Sequence, residues 1–438
     1  MADTYLTTTT INNGVYRMGD YAQHQQSNHQ LKILLATLDN TLLHKINEFL
    51  FFGKKPKENH NDSNNLTLPT TITFQQLMIM LSYNLYIYIE VDLSYHNLND
   101  EKIIHLTNEL QNSNHGHPNT IEDIDLTDNY INGTGVISLS HFWYSQTAHI
   151  KSFYLGYNNI GNNGEKAIAN ILRKNKTQLE VLSLCSNNIE GGIAIAKALQ
   201  TNTKLQLLNL HSNNISDRGV IEFSNVLAIN TTLMFLDLDN NNIYDKSVIE
   251  LANSLISNKN SSLESLSLAD NYISEEGGIV LGKMISRNKK LSKLHLDRNR
   301  LGNRGVTSIL LGMETNCSIK TLGLSSNDFN DTVAIAIADM FDVNSTLINL
   351  KLDFNDMTDF GAKSIFNILK YRGKVLKLKT LSCSYNQFTD AGINLLDQIM
   401  ELVDNQITIY TFGNVNETPH VYTDSELEEL KLKYMVEK

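Results

Sequence analysis

An α/β solenoid is the fold class this sequence predicts: a horseshoe of stacked coils, each giving one strand to a parallel concave sheet and one helix to the outside. Three observations predict it. The phrase L-x-x-L-x-L-x-x-N-x-L/I, clearest in Leu205-Gln-Leu-Leu-Asn-Leu-His-Ser-Asn-Asn-Ile215, returns along the chain with a step of about 29 residues. Within each phrase apolar and polar residues alternate, as on a strand with one buried face. Between phrases, segments such as Val220–Ala228 and Ala362–Leu369 carry apolar residues at helical spacing.

The phrase has eleven copies, starting at Tyr88, Ile121, Ile150, Leu179, Leu205, Leu233, Leu263, Leu291, Ile319, Leu347 and Leu378. Its ninth position reads Asn129, Asn158, Asn187, Asn213, Asn241, Asn271, Asn299, Asn327, Asn355 and Asn386, with His96 in the first copy. An asparagine where the chain turns inward can bond backbone groups that the bend leaves without partners, so stacked copies predict an asparagine ladder. Six residues after the ladder position stands a glycine in most copies, at Gly135, Gly164, Gly219, Gly277, Gly305, Gly361 and Gly392. A missing side chain there allows close backbone approach as the helix begins. Helices are wider than strands, so the stack must curve.

Composition sets bounds on function. The chain has 438 residues, 41% of them hydrophobic, and a formal charge of −11. That length suggests about three ordinary domains, but a repeat of this kind grows as one continuous body. The acidic balance argues against a nucleic-acid partner, which needs a basic face. Cys185, Cys317 and Cys383 lie in different copies without metal-ligand spacing, which suits a reducing compartment. The N-terminus lacks the basic and apolar regions of a secretory leader, and Leu77–Ile87 is too short and too polar to span a membrane. The expectation is a cytoplasmic monomer with no membrane partner and no cofactor. The N-x-S/T triplets at Asn132, Asn175, Asn230 and Asn344 are expected from a chain rich in Asn, Ser and Thr, without glycosylation.

Taken in order, residues 1–29 read as a polar, disordered tail with a Gln/His run, and residues 30–84 as a helical N-terminal cap covering the open end of the solenoid. The solenoid itself covers residues 85–412. Ile407–Phe412 reads as one last strand without a ladder residue, and Thr423-Asp-Ser-Glu426 offers a capping box for a closing helix within 413–438.

The concave face, at the third, fifth, seventh and eighth positions of each copy, is where function is expected. Its N-terminal end is acidic, with Glu90, Asp92, Asp123, Asp125 and Asp128, which suits a partner bearing a basic patch. Tyr154 follows. Val181, Leu207 and Phe235 occupy the third position of consecutive copies and predict an exposed apolar stripe. Beyond them lie Asp237, then Lys293, His295, Asp297, Arg298, Lys351, Asp353, Phe354 and Tyr385, a mixed and more basic region. A surface graded in this way would orient an elongated partner.

Little on this face reads as chemistry. His211, Asp237, Asp239 and His295 are what any polar face supplies on neighbouring copies, and no phosphate-binding loop, H-E-x-x-H or nucleophile elbow occurs. Cys185 is expected to be accessible, whereas Cys383 replaces a core leucine.

The form L-x-x-L-x-L-x-x-N-x-I-x-x-x-G, over about residues 88 to 412, resembles the ribonuclease-inhibitor-like class of leucine-rich repeats. That class includes inhibitors, immune-receptor sensor regions, tropomodulin-like actin caps and Ran GTPase-activating proteins. The resemblance implies a non-enzymatic scaffold that binds a protein partner or, in the manner of the Ran-directed members, a small GTPase. The long acidic C-terminal tail of those members is missing here, since Glu426, Glu428 and Glu429 alternate with Lys431 and Lys433. Leu38–Leu50 resembles the opening helix of an F-box, a recruiter of ubiquitin-ligase adaptors, with Asp39 where that motif carries proline.

Overall fold

The computed structural model describes residues 90–112, 122–145, 150–174, 177–257, 262–403 and 406–414. The tail, the N-terminal cap, the F-box-like stretch and the closing helix expected from the sequence lie outside these residues. Within them, twelve three-residue strands run from Glu90–Asp92 to Thr408–Tyr410 in one parallel sheet whose spatial order is the chain order. Each of the first eleven strands is followed by a helix, from Asp100–Asn112 to Asp390–Leu402. The result is an open, unclosed α/β horseshoe, as expected, and its coils are numbered 1 to 12 below.

The leucines of the phrase account for the core. Leu182 and Leu184, Leu208 and Leu210, and Leu236 and Leu238 point inward from successive strands and are fully buried. Apolar residues on the inner face of each helix, such as Val220, Phe223 and Leu227, close over them. Because each coil packs only on its neighbours, this core is one continuous strip.

The predicted ladder runs the length of the molecule. Asn271 illustrates a rung: its Oδ1 accepts from the N–H groups of Asn241 (3.0 Å) and Ile243 (3.1 Å) in the preceding coil. Its Nδ2 donates to the carbonyls of Leu238 (3.1 Å), Leu268 (3.0 Å) and Ala269 (3.0 Å). In coil 1 the Asn129 side chain reaches back to the His96 and Leu98 N–H groups, so the ladder begins without needing an amide at position 96. The last strand differs from expectation. Asn414 stands at its ninth position, accepts from the Asn386 N–H at 2.8 Å and donates to the Thr411 carbonyl at 2.7 Å, which makes coil 12 a true rung.

Aiming each amide inward forces the preceding residue into the left-handed region. At the eighth position of all twelve coils φ lies between 51° and 66°, and only coil 12 uses glycine there. The other coils accept a strain on the order of 1 kcal/mol each in exchange for satisfied buried backbone groups.

A second asparagine column, on the convex side, was not foreseen. Asn202, Asn230, Asn288, Asn316 and Asn344 sit buried where a helix turns toward the next strand. Asn344 Nδ2 donates to the Met313 (2.7 Å) and Asn316 (2.8 Å) carbonyls, and its Oδ1 accepts from the Thr346 and Leu347 N–H groups. The Thr232 and Thr346 hydroxyls also bond the amides of Asn230 and Asn344. The N-x-T triplets at these two places therefore have a structural origin, and burial withholds both amides from modification.

Candidate functional site

Position five and position seven of most coils bring their side chains to the concave side, and the conformations of the acidic and amide ones follow from two backbone bonds. A carboxylate or amide at position five accepts the N–H of position seven in its own coil: Asp92 with Ser94 (2.9 Å), Asp125 with Thr127 (2.8 Å), Asn209 with His211 (2.8 Å) and Asp237 with Asp239 (3.0 Å). A carboxylate at position seven accepts the same N–H of the following coil: Asp239 with Ala269 (2.7 Å), Asp297 with Ser325 (2.9 Å) and Asp353 with Ser384 (2.8 Å). Polar side chains on this face are thus held in place along the sheet rather than left to sway.

The acidic end is present. Register places Glu90 against Asp123 and Asp92 against Asp125, in strands about 5 Å apart. Asp92, Asp123 and Asp125 are half-buried on the sheet, and Asp128 is exposed on the left-handed turn. Tyr154 lies half-buried in the next strand, in register with Asp125 and Ser183.

The expected apolar stripe is corrected. Val181, Leu207 and Phe235 do stand in register in three consecutive strands, but Leu207 is only 5% exposed. Close strand spacing lets its two neighbours cover it, and they are themselves half-buried. Exposed rings lie elsewhere: Tyr95 and Tyr157 stand singly on position eight of coils 1 and 3, and a stacked set lies at the C-terminal end. Phe354 and Tyr385 occupy position eight of coils 10 and 11 and stack with centroids 4.3 Å apart and planes 5° from parallel. Tyr410 and Phe412 extend this aromatic shelf, and all four rings are exposed. The sequence carried the signal, since Phe354 and Tyr385 share one position in adjacent copies.

The middle of the face is a half-buried titratable cluster. His211, Asp237 and Asp239 offer ligand atoms that all lie within 4.8 Å of one another. Burial, then the charge of Asp237, pushes the Asp239 carboxyl well above its ordinary range, against the bonds from Ser267 and Ala269 and the charge of His295. One step along, the His295 imidazole lies 3.7 Å from Asp297. Burial would raise the Asp297 carboxyl, but its contact with His295, that residue's charge and the charge of Lys351 outweigh burial and hold it below its ordinary value. Asp237 and His295 are therefore sunk between coils rather than freely presented, while Lys351 is half-buried. Cys185 is also less accessible than expected: it is half-buried, and burial pushes its thiol up, which makes it a poor nucleophile. No described helix is long and apolar enough to cross a membrane.

Comparisons with known proteins come down on the side of the repeat. A family model described as Leucine Rich repeat matches residues 117–140, 148–169, 201–224, 230–252, 259–282, 287–310 and 315–338. No curated protein matches the chain. Among solved structures, an internalin from Listeria monocytogenes is similar with 19% identity and a TM-score of 0.44, over 87% of this chain and all of that one. Yeast Rad7, solved in complex with Elc1, gives 16% identity and a TM-score of 0.45, over 73% of this chain and 75% of that one. The second actin-binding site of Leiomodin-1 gives 21% identity and a TM-score of 0.25, over 28% and 71%. The matched segments coincide with coils whose amides form the ladder, and on that agreement the chain is a leucine-rich repeat solenoid.

Proposed function

We propose that this protein is a non-enzymatic recognition arch that binds an elongated protein partner along its concave face. The observation that carries this is polarity along one continuous sheet: carboxylates on coils 1 and 2, and exposed stacked aromatics on coils 10 to 12. Nine coil steps of about 4.8 Å separate the two ends by about 40 Å. A partner that spans them would present a basic patch to Glu90, Asp92, Asp123, Asp125 and Asp128. Charge there speeds and orients encounter, and aromatic rings supply burial at the other end.

Affinity purification with mass spectrometry tests this, using the wild-type chain, an Asp123→Lys/Asp128→Lys variant and a Phe354→Ala/Tyr385→Ala variant. Each variant is expected to lose the same bound protein. An unchanged bound set, with the fold intact by circular dichroism, overturns the reading. A second reading, stimulation of GTP hydrolysis by a Ran-like small GTPase, is supported by repeat type and copy number. A purified assay with Ran showing no stimulation removes it.

A further inference from the structure

The His211–Asp237–Asp239 cluster stands apart from both ends of the face. His211 is at position seven of coil 5, Asp237 and Asp239 are at positions five and seven of coil 6, and the in-register pairing of these strands brings the three together. Each ligand is already oriented by a bond outside the cluster or along its own backbone. Asp239 Oδ1 accepts the Ala269 N–H, Asp237 Oδ1 accepts the Asp239 N–H, and His211 Nε2 lies 2.9 Å from Ser212 Oγ. Outer contacts of this type, among them the Ser267 hydroxyl on Asp239, fix ring orientation and carboxylate rotamer in metal sites.

We propose that His211, Asp237 and Asp239 form a three-ligand site for a borderline divalent cation of the zinc class, with the fourth coordination position open to the concave groove. The donor set decides the class. Calcium and magnesium take oxygen shells of six or more, mostly carboxylate, carbonyl and water, whereas an imidazole nitrogen with two carboxylates suits zinc and its first-row neighbours. Zinc bonds of about 2.0–2.2 Å in a tetrahedron place ligand atoms roughly 3.4 Å apart. Ligand atoms within 4.8 Å of one another have at most about 1.4 Å to close to reach that spacing. The cation turns the centre of the arch from acidic to neutral or cationic. Its open position accepts water or a carboxylate or imidazole from a bound protein. The proposal stands independently of the partner-binding reading, because the site is complete within one chain.

The test is titration of the chelator-stripped full-length protein with zinc chloride, by calorimetry and by competition with a chromophoric chelator. A saturable site is expected whose affinity falls at least tenfold in His211→Asn and, separately, in Asp239→Asn, with millimolar magnesium or calcium unable to compete. Asp239→Asn keeps an oxygen for the Ala269 N–H, so the fold survives. Cobalt substitution adds a second readout: visible bands that disappear in both variants but persist in Cys185→Ser. Zinc binding of equal strength in wild type and both variants, or cobalt bands that depend on Cys185, overturns the proposal. So does the absence of a saturable site.

Discussion

The carboxylate of Asp331 accepts the backbone N–H of Gly361, 30 residues downstream, at 3.0 Å. The same oxygen accepts the Thr358 N–H at 2.8 Å, and the other accepts the Thr358 hydroxyl at 2.6 Å. Asp331 opens one helix and its side chain caps the next, so the positive end of that helix dipole stabilises a fully buried anion. Asp245 does the same for Ser274 and Gly277, and Asp359 for Thr389 and Gly392. This explains four of the seven glycines six places after the ladder, Gly135, Gly277, Gly361 and Gly392, where a Cβ would meet the capping carboxylate of the preceding coil; at Gly361 it would lie 2.6 Å from Asp331 Oδ1.

Gly361→Ala is therefore expected to destabilise the protein by about 1–3 kcal/mol, the usual cost of overpacking. Asp331→Ala alone leaves buried donors unmet. The double variant is expected to cost less than the two singles together by about 1 kcal/mol or more, because removing the carboxylate makes room for the methyl. Urea denaturation of the three variants measures this, and strict additivity would refute the inter-coil cap as the reason for glycine.

Removing a central rung should open the stack. Asn271→Ala deprives two N–H groups and three carbonyls of their partner, with an expected loss of about 2–5 kcal/mol. Asn344→Ala, in the convex column, is expected to cost a similar amount even though it lies on the opposite side of the coil. Thermal melts that place Asn344→Ala within a degree of wild type would show that the convex column is ornamental.

Asp239 gives a pH signature. Its folded pKa is raised, so over the range between the unfolded carboxylate value and the folded one the native state holds more protons than the unfolded state. Stability then falls as pH rises from about 4. In the presence of chelator, Asp239→Asn is expected to remove that fall and to be more stable than wild type at neutral pH, with the difference vanishing below pH about 4. Asp297 has the opposite sign: its lowered pKa contributes stability above the unfolded value, lost as pH falls through the folded one. Asp297→Asn should therefore be less stable than wild type near neutrality and converge with it in acid. Melting temperature against pH for the two variants checks both signs, and parallel curves would contradict them.

At the two ends of the face, salt should separate the contributions. Binding lost through Asp123→Lys/Asp128→Lys is expected to be strongly salt-dependent in the wild type, because exposed charges are screened over about 8 Å at physiological ionic strength. Binding lost through Phe354→Ala/Tyr385→Ala is expected to be nearly salt-independent. Dissociation rates that respond equally to salt in both variants would place electrostatics and burial at the same site.

The spacing of leucines, asparagines and glycines alone determined the coil, eleven of its twelve copies, the parallel sheet and the ladder as far as Asn386. Each of those depends on contacts that every copy makes in the same way, so periodicity reports them directly. Tertiary structure decided what varies from copy to copy. Leu207 is buried because Val181 and Phe235 happen to flank it in register, and no single copy contains that fact. Asn414 is a rung although its phrase has lost its leucines, because the Asn386 N–H needs an acceptor. His211, Asp237 and Asp239 look like unrelated polar residues in sequence, and only the lateral alignment of two strands gives them a common centre.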